Sequence, residues 1–181
     1  MHIPQGASQT IDILPFADAL ALSGRSGGYD SQKWLYVPDF YTEYRYILGT
    51  RGQNPLICIG VNPSTAAPDD LDNTLKSVSR IAEGNGFDSW IMFNVYAQRA
   101  TRPEDMDREL NQVLHRANMA AFEYILQNVP QAAQTAGRRY DARWLCAGKR
   151  SAKGHPHHPL YLRKDEKTVE FDVEQYLEGL Q

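Results

Sequence analysis

Two apolar runs, at residues 55–61 and 90–95, constrain the fold of this chain more than any other feature. The runs read Pro-Leu-Ile-Cys-Ile-Gly-Val and Trp-Ile-Met-Phe-Asn-Val, which is typical of strands buried on both faces. Between them an amphipathic helical pattern begins at Thr74, behind Asp72 or Asn73 as a helix N-cap. The order strand, helix, strand predicts an α/β fold, a three-layer α/β/α sandwich with a mainly parallel central sheet.

Weaker patterns complete the predicted fold. Residues 34–37 and 41–48 alternate aromatic or β-branched with polar residues, which predicts an N-terminal β-hairpin with one face in water. Pro103 opens a helical pattern that continues to about residue 128. The other predicted elements are helices at residues 11–22, 132–139 and 173–180, and strands at residues 143–147 and 160–162. We therefore expect a poorly patterned segment over residues 1–33 and a single α/β domain over residues 34–181.

Length and composition indicate an ordinary globular protein. The chain has 181 residues, 42% of them hydrophobic and 23% charged, and a chain of this length buries about 70% of its unfolded surface. Its first residues do not follow the pattern of a signal peptide, and no apolar run reaches the ~20 residues that span a bilayer. The two cysteines, Cys58 and Cys146, form no C-x-x-C motif. We expect a cytoplasmic protein with free thiols.

Positive charge is concentrated near the C-terminus. The whole chain carries a net charge of −3, whereas residues 138–158 carry six Lys or Arg and one acidic residue, a net +5 with neutral histidines. Such asymmetry predicts a basic patch that meets phosphate, with Lys149, Arg150 and Lys153 as its members. A solvated basic loop is the alternative.

Polar residues directly follow both apolar runs. Asn62-Pro-Ser64-Thr65 follows the first run, and the carboxyl ends of parallel strands are where ligands bind in α/β sheets. Pro63 restricts the backbone of Asn62, so the Asn62 amide can orient a water or a polar ligand edge. The alternative is an Asn-Pro turn with a capping serine.

Near the end of the second run stands Asn94, and Arg99 and Arg102 follow the run; two arginines and an asparagine at a strand end suit a phosphate or carboxylate ligand. An ion pair of Arg99 with Asp70 or Asp72 is the alternative.

Three histidines, His155, His157 and His158, lie in a loop that reads Gly-His-Pro-x-His-Pro. Their spacing does not match a known metal-ligand pattern, so we predict no metal site. A single histidine there could stabilise a developing negative charge or donate a proton.

Five segments taken in order resemble a known family. They are Tyr44-Arg-Tyr-x-Leu, Asn62-Pro-Ser-Thr-Ala, Asp72-x-Thr74, Asn94-Val-x-Ala-x-Arg99-Ala-Thr-x-Pro, and Gly154-His-Pro-x-His158-Pro-Leu-Tyr161. Together they resemble domain-of-unknown-function family sixteen-forty-three, an uncharacterised bacterial and phage family, over about residues 41–163. The resemblance brings no established activity.

A more distant likeness is to uracil-DNA glycosylase-like proteins, which place an Asn-Pro loop after the first core strand and a His-Pro loop near the C-terminus. That resemblance implies that Asn62 positions an attacking water and that His158 stabilises the departing base. It implies that Arg99 and the basic loop hold phosphates, and that the base is flipped into the pocket. The residues expected to bind substrate are Ser64, Thr65, Asp72, Thr74, Asn94, Arg99 and Tyr161.

Two features depart from the glycosylase pattern. Leu160-Tyr-Leu follows the His-Pro motif, where the glycosylases have a small residue and a DNA-wedging loop. Both families also lead us to expect a core strand after the long helix, and residues 119–134 show no such pattern. Either the sheet lacks this strand or the sequence lacks a segment.

The sequence is compatible with three functions. The chain could be an enzyme that hydrolyses an N-glycosidic bond in DNA, or a non-catalytic domain that binds a nucleotide or nucleic acid. In the third alternative the pocket binds an unrelated small molecule, which a cleft without Arg99 or His158 would favour. We expect DNA or a nucleotide as partner, no cofactor and no membrane association; the sequence leaves the oligomeric state open.

Overall fold

A computed structural model describes residues 12–128 and 143–179 of the chain. It contains a four-stranded sheet made of β1 (Trp34–Val37), β2 (Ile47–Thr50), β3 (Pro55–Gly60) and β4 (Ser89–Asn94). The strand order is β1-β2-β4-β3, with β3 and β4 parallel and the other two pairings antiparallel. The protein is therefore a mixed α/β fold.

Helix α2 (Asn73–Gly84) joins the parallel strands β3 and β4, as the pattern of the two apolar runs predicts. The side chain of Asp72 caps it by accepting a hydrogen bond from the Leu75 amide at 2.8 Å. All six residues of β4 are buried. The strand–helix–strand unit at the centre of the prediction is confirmed.

Alternate residues of the strands belong to two hydrophobic clusters, one on each face of the sheet. One cluster includes Val37, Ile47 and Phe93 and packs against α1 (Phe16–Leu22) and α3 (Gln112–Asn128). The other includes Trp34, Leu48, Trp90 and Met92 and packs against α2. Since both faces of the hairpin strands are buried, the prediction of one wet face is wrong.

The prediction of a three-layer sandwich with a mainly parallel sheet is not confirmed, because two of the three strand pairings of this sheet in the described residues are antiparallel. The hairpin strand β2 pairs with β1 and with β4, on the side of β4 away from β3. Gly49 permits this approach, since a Cβ there would lie 2.5 Å from the carbonyl oxygen of Trp90. Within the described residues β3 pairs on one side only, and its Ile59 is 47% exposed. The prediction that residues 55–61 form a central strand is therefore not confirmed.

Strand β2 and helix α3 are shorter than the sequence patterns that predicted them. Strand β2 begins at Ile47, because Tyr44 forms an isolated bridge with Gln98 and the backbone amide of Arg45 donates to the Ala97 carbonyl. The long helix pattern divides into a 3-10 turn, Pro103–Asp105, and α3. Asn111 starts α3 by accepting from the Leu114 amide, which separates the helix from Pro103.

The C-terminal part contains an antiparallel pair, β5 (Leu145–Ala147) and β6 (Thr168–Glu170), followed by helix α4 (Val173–Glu178). The predicted strand at residues 160–162 is wrong, because Pro159–Tyr161 is a 3-10 turn capped by His158. Strand β6 was missed by the sequence patterns. The predicted helical turn at residues 132–139 lies outside the described residues. Among the helices that the structure describes, none is long and apolar enough to cross a membrane.

Candidate functional site

The loops after β3 and β4 are joined by hydrogen bonds. The Asn62 side-chain nitrogen donates to the carbonyl oxygen of Ala100 at 2.8 Å and to that of Pro63 at 3.1 Å. The Ala100 amide in turn donates to the Pro63 carbonyl at 2.9 Å. The two polar segments that follow the apolar runs therefore meet at one end of the sheet, and the amide nitrogen of Asn62 is engaged in holding them together.

Arg99 is buried beneath the loop at residues 62–66. Its guanidinium donates to the carbonyl oxygens of Ser64 and Ala66 and to the Tyr36 hydroxyl. The Tyr41 ring lies over it, with 4.4 Å between Cζ and the ring centroid. Arg99 forms no salt bridge with Asp70, Asp72 or any other carboxylate of residues 12–128 and 143–179, so the predicted ion-pair alternative is wrong.

A second arginine, Arg45, shares this buried position and was not predicted as a site residue. It is 2% exposed and Arg99 is 1% exposed. Arg45 Nη1 donates to the Ala66 carbonyl at 2.9 Å, the same oxygen that accepts from Arg99. The Nε atoms of both arginines are buried without a hydrogen-bond partner in the described part of the chain.

The electrostatics of the pair are those of two like charges removed from water. Burial and, to a smaller extent, the charge of Arg99 together lower the pKa of Arg45 to about 9, while Tyr36 and Asp72 oppose the shift. Burial also lowers the pKa of Arg99. Asp72 does not neutralise Arg45 by an ion pair, because no Asp72–Arg45 distance falls within 4.0 Å.

Asn94, the last residue of β4, presents an unused amide. It is 1% exposed, and neither its Oδ1 nor its Nδ2 has a hydrogen-bond partner among the described residues. Gly60 faces it on β3, and a Cβ at Gly60 would lie 2.9 Å from Asn94 Oδ1. Glycine at this position therefore lets the Asn94 amide pack directly against the backbone of β3.

The remaining predicted residues near α2 have local roles or partial exposure. Asp72 is the helix cap, and Ser64 contributes its carbonyl oxygen to Arg99. Ser64, Thr65 and Thr74 are all half-buried. Their three hydroxyl groups make no hydrogen bond within the part of the chain that the structure describes.

His158 and Tyr161 lie in the exposed 3-10 turn. His158 Nδ1 accepts from the Leu160 amide at 3.2 Å, and its ring centroid is 6.0 Å from that of Tyr161, which is 77% exposed. Neither side chain hydrogen-bonds to Asn62, Asn94 or Arg99. The pairing of Asn62 with His158 that the glycosylase likeness implies stays a prediction.

The other two histidines are dispersed. His155 Nδ1 lies 2.6 Å from the Tyr176 hydroxyl of α4, and His157 lines a cavity described below. In the segments that the structure describes, no group of three or more His, Cys, Asp or Glu side chains is arranged to hold a metal ion.

The basic loop is solvent-exposed at Lys149, Arg150 and Lys153. The Arg150 guanidinium carbon lies 5.8 Å from the Phe171 ring centroid. Arg143 is paired with Glu170 at 3.2 Å on the surface. Arg138 and Arg139 lie outside the described residues. Exposed cations of this kind bind phosphate weakly and are screened by salt.

A family model for "Protein of unknown function (DUF1643)" matches residues 45–135, about half of the chain. The chain belongs to the DUF1643 family. The match begins at Arg45 and includes Asn62, Asn94 and Arg99, and it ends before His158 and the basic loop. No curated protein and no solved structure matches the chain.

A cavity of about 630 Å³ in this DUF1643 protein lies beside the open edge of β3. It runs from β3 to β5, and residues of α2 and α3 line it. Its apolar lining includes Cys58, Val78, Ile81, Phe122, Leu126 and Cys146. Asn62, Asn94, Arg99 and His158 are not among the lining residues. The third function left open by the sequence, binding of an unrelated small molecule, therefore keeps a structural basis.

Sequence reasoning missed Arg45 and this cavity for different reasons. Arg45 stands in a run of alternating tyrosines that reads as a half-exposed strand, and its burial follows from the loop packed above it. Its place in Tyr44-Arg-Tyr-x-Leu, one of the segments that resemble the family, is the signal that could have singled it out. The cavity depends on the distance between β3 and β5, which no local pattern encodes.

Proposed function

We propose that this DUF1643 domain recognises a nucleobase or nucleotide at the carboxyl end of β3 and β4. The observation that carries the proposal is Asn94, a buried amide whose donor and acceptor both lack a protein partner. A side-chain amide offers one donor edge and one acceptor edge in a plane, which matches the hydrogen-bonding edge of a base.

The free-energy cost of the unpaired Asn94 amide supports a role for this residue in ligand recognition. Leaving a buried polar group unpaired costs about 1–3 kcal/mol, so an asparagine at this position weakens the folded protein unless a ligand uses it. Binding sites commonly combine an apolar surround with a few polar groups of this kind. Met92 and Gly60 adjoin the amide and give it such a surround.

Hydrolysis of an N-glycosidic bond is the second candidate. It is favoured by Asn62, whose nitrogen is fixed by two carbonyl oxygens, so that its Oδ1 is a fixed acceptor for a water. In this reaction the water oxygen bonds to the anomeric carbon and the electrons of the C–N bond leave with the base. The water loses one proton, which ends on the departed base. His158 would stabilise the departing base, as the glycosylase likeness implies.

The test measures binding and cleavage together. The protein is incubated with nucleosides, nucleotides, and single- and double-stranded DNA that contains uracil or hypoxanthine, at low salt. We expect saturable binding that Asn94→Leu abolishes and that Asn128→Ala, at an exposed residue at the end of α3, leaves intact. Abasic sites that disappear in Asn62→Ala and His158→Ala would establish the hydrolase instead.

Binding that is unchanged in Asn94→Leu would refute the proposed recognition site. Absence of both binding and cleavage across the panel would refute a nucleotide function and direct attention to apolar ligands for the cavity beside β3.

A further inference from the structure

We propose that Arg45 and Arg99 form a buried site for a phosphate group, so that the ligand of this protein is a phosphorylated nucleotide and not a free base. The inference deepens the proposed function and rests on it only for the nucleoside part of the ligand. It assigns the phosphate to this pair of arginines and not to the exposed basic loop.

The first support is the charge balance of the pair. Both guanidiniums are at least 98% buried, and a guanidinium stays charged in proteins. No carboxylate of the described residues lies within 4.0 Å of either. Their hydrogen-bond acceptors are two carbonyl oxygens and a phenol, which carry no full charge. Two buried like charges are strongly unfavourable without an anion.

The second support is the number of unused donors. A guanidinium has five N–H donors, and within the described residues Arg45 makes one side-chain hydrogen bond, to the Ala66 carbonyl. The Nε of each arginine is buried and unpartnered. The planar fork of such donors fits two oxygens of a phosphate.

The third support is that Arg99 is held in place before any ligand binds. Its guanidinium is fixed by the Ser64 and Ala66 carbonyls and by the Tyr36 hydroxyl. The ring of Tyr41, which is 41% exposed, lies over the guanidinium. A fixed donor set loses little freedom on binding, which favours affinity.

The experiment compares inorganic phosphate, adenosine, uridine and their 5′-monophosphates on the full chain, by calorimetry and by thermal unfolding at matched ionic strength. We expect phosphate to raise Tm and the monophosphates to bind more tightly than the nucleosides. Arg45→Met should weaken monophosphate binding by about tenfold to a hundredfold, the loss expected for a charged hydrogen bond.

The matched control removes exposed charge. A triple variant, Lys149→Met with Arg150→Met and Lys153→Met, should bind inorganic phosphate as the wild type does. Loss of the phosphate response in this triple variant, or its persistence in Arg45→Met, would overturn the inference. Should Arg45→Met fail to fold, Arg45→Lys keeps the charge without the planar fork, and full affinity in that variant would also overturn it.

The outcomes separate the two proposals. Nucleosides that bind as tightly as their monophosphates, in a manner that depends on Asn94, would overturn the phosphate site and leave nucleobase recognition standing. Phosphate binding that depends on Arg45, without any nucleoside preference, would support the phosphate site and refute nucleobase recognition.

Discussion

Replacing Asn94 by leucine should make the protein more stable, the reverse of the usual effect of changing a buried residue. The side chains have similar volumes, and the change removes two buried polar atoms that have no protein partner. Each such atom costs about 1–3 kcal/mol, and the leucine adds apolar contact with Met92. Allowing for imperfect packing beside Gly60, we expect a net gain of at least about 1 kcal/mol, which corresponds to a Tm increase of about 2–4 °C for a domain of this size.

Asn118 provides a matched control on the other side of the same strand end. It is also 1% exposed, but its nitrogen donates to the carbonyl oxygens of Asn94 and Val95 at 2.9 and 3.2 Å. Asn118→Leu removes both bonds and also one buried acceptor without a partner, Asn118 Oδ1. Because two hydrogen bonds are lost against one such atom removed, we expect a net loss of about 1 kcal/mol. Two buried asparagines should thus respond to one substitution with opposite signs.

The assay is urea and thermal unfolding of wild type and both variants, followed by circular dichroism without ligand. A loss of more than about 1 kcal/mol in Asn94→Leu, a typical destabilisation for a point mutant, would refute the reasoning. It would mean that the Asn94 amide supports the fold, and the main observation behind nucleobase recognition would lose its force.

Three further predictions concern the fold. Asp72→Ala removes the cap of α2 and should lower the free energy of unfolding by about 0.5–2 kcal/mol, with Asp70→Ala as the control; no change would show that the cap is dispensable. Gly49→Val should prevent the β2–β4 pairing, because its Cβ would lie 2.5 Å from the Trp90 oxygen, and a soluble variant with native circular dichroism would contradict this. Burial raises the pKa of the Cys58 thiol to about 12. The folded state therefore keeps a proton that the unfolded state loses above about pH 9, and stability should fall as pH rises from 9 towards 12. Cys58→Val should flatten this dependence, and an identical slope in that variant would contradict the assignment.

The patterns that predicted the fold correctly are those whose cause is local. The apolar runs at residues 55–61 and 90–95 and the cap at Asp72 are encoded within a few residues, and β3, β4 and α2 follow them. The pairing of β2 with β4 depends on Gly49, a residue whose role appears only when the partner strand is present. Sheet composition therefore could not be predicted from strand patterns alone.

In the candidate site, too, the residues marked by local sequence patterns could be predicted, and those placed by tertiary packing could not. Asn62, Asn94 and Arg99 could be singled out because each lies at or shortly after the end of an apolar run, and the loops that carry Asn62 and Arg99 do meet. Arg45 comes from the hairpin and reaches the site through tertiary packing on Ala66, which no spacing rule encodes. The turn at Pro159–Tyr161 resembled a strand because its three residues are apolar or aromatic, while the His158 cap imposes a helical turn.

The hydrogen bonds that connect the end of α2 to strands β5 and β6 determine how readily the C-terminal part unfolds locally. The β5–β6 pair shares no backbone ladder with the four-stranded sheet in the described residues. Asn85 joins them, donating to the Ile81 and Glu166 carbonyls and accepting from the Thr168 amide. A unit held by so few polar contacts opens at lower free energy than the core. In native-state hydrogen exchange the amides of β5, β6 and α4 should therefore exchange as one group, well before those of β1 to β4, and Asn85→Ala should widen that gap.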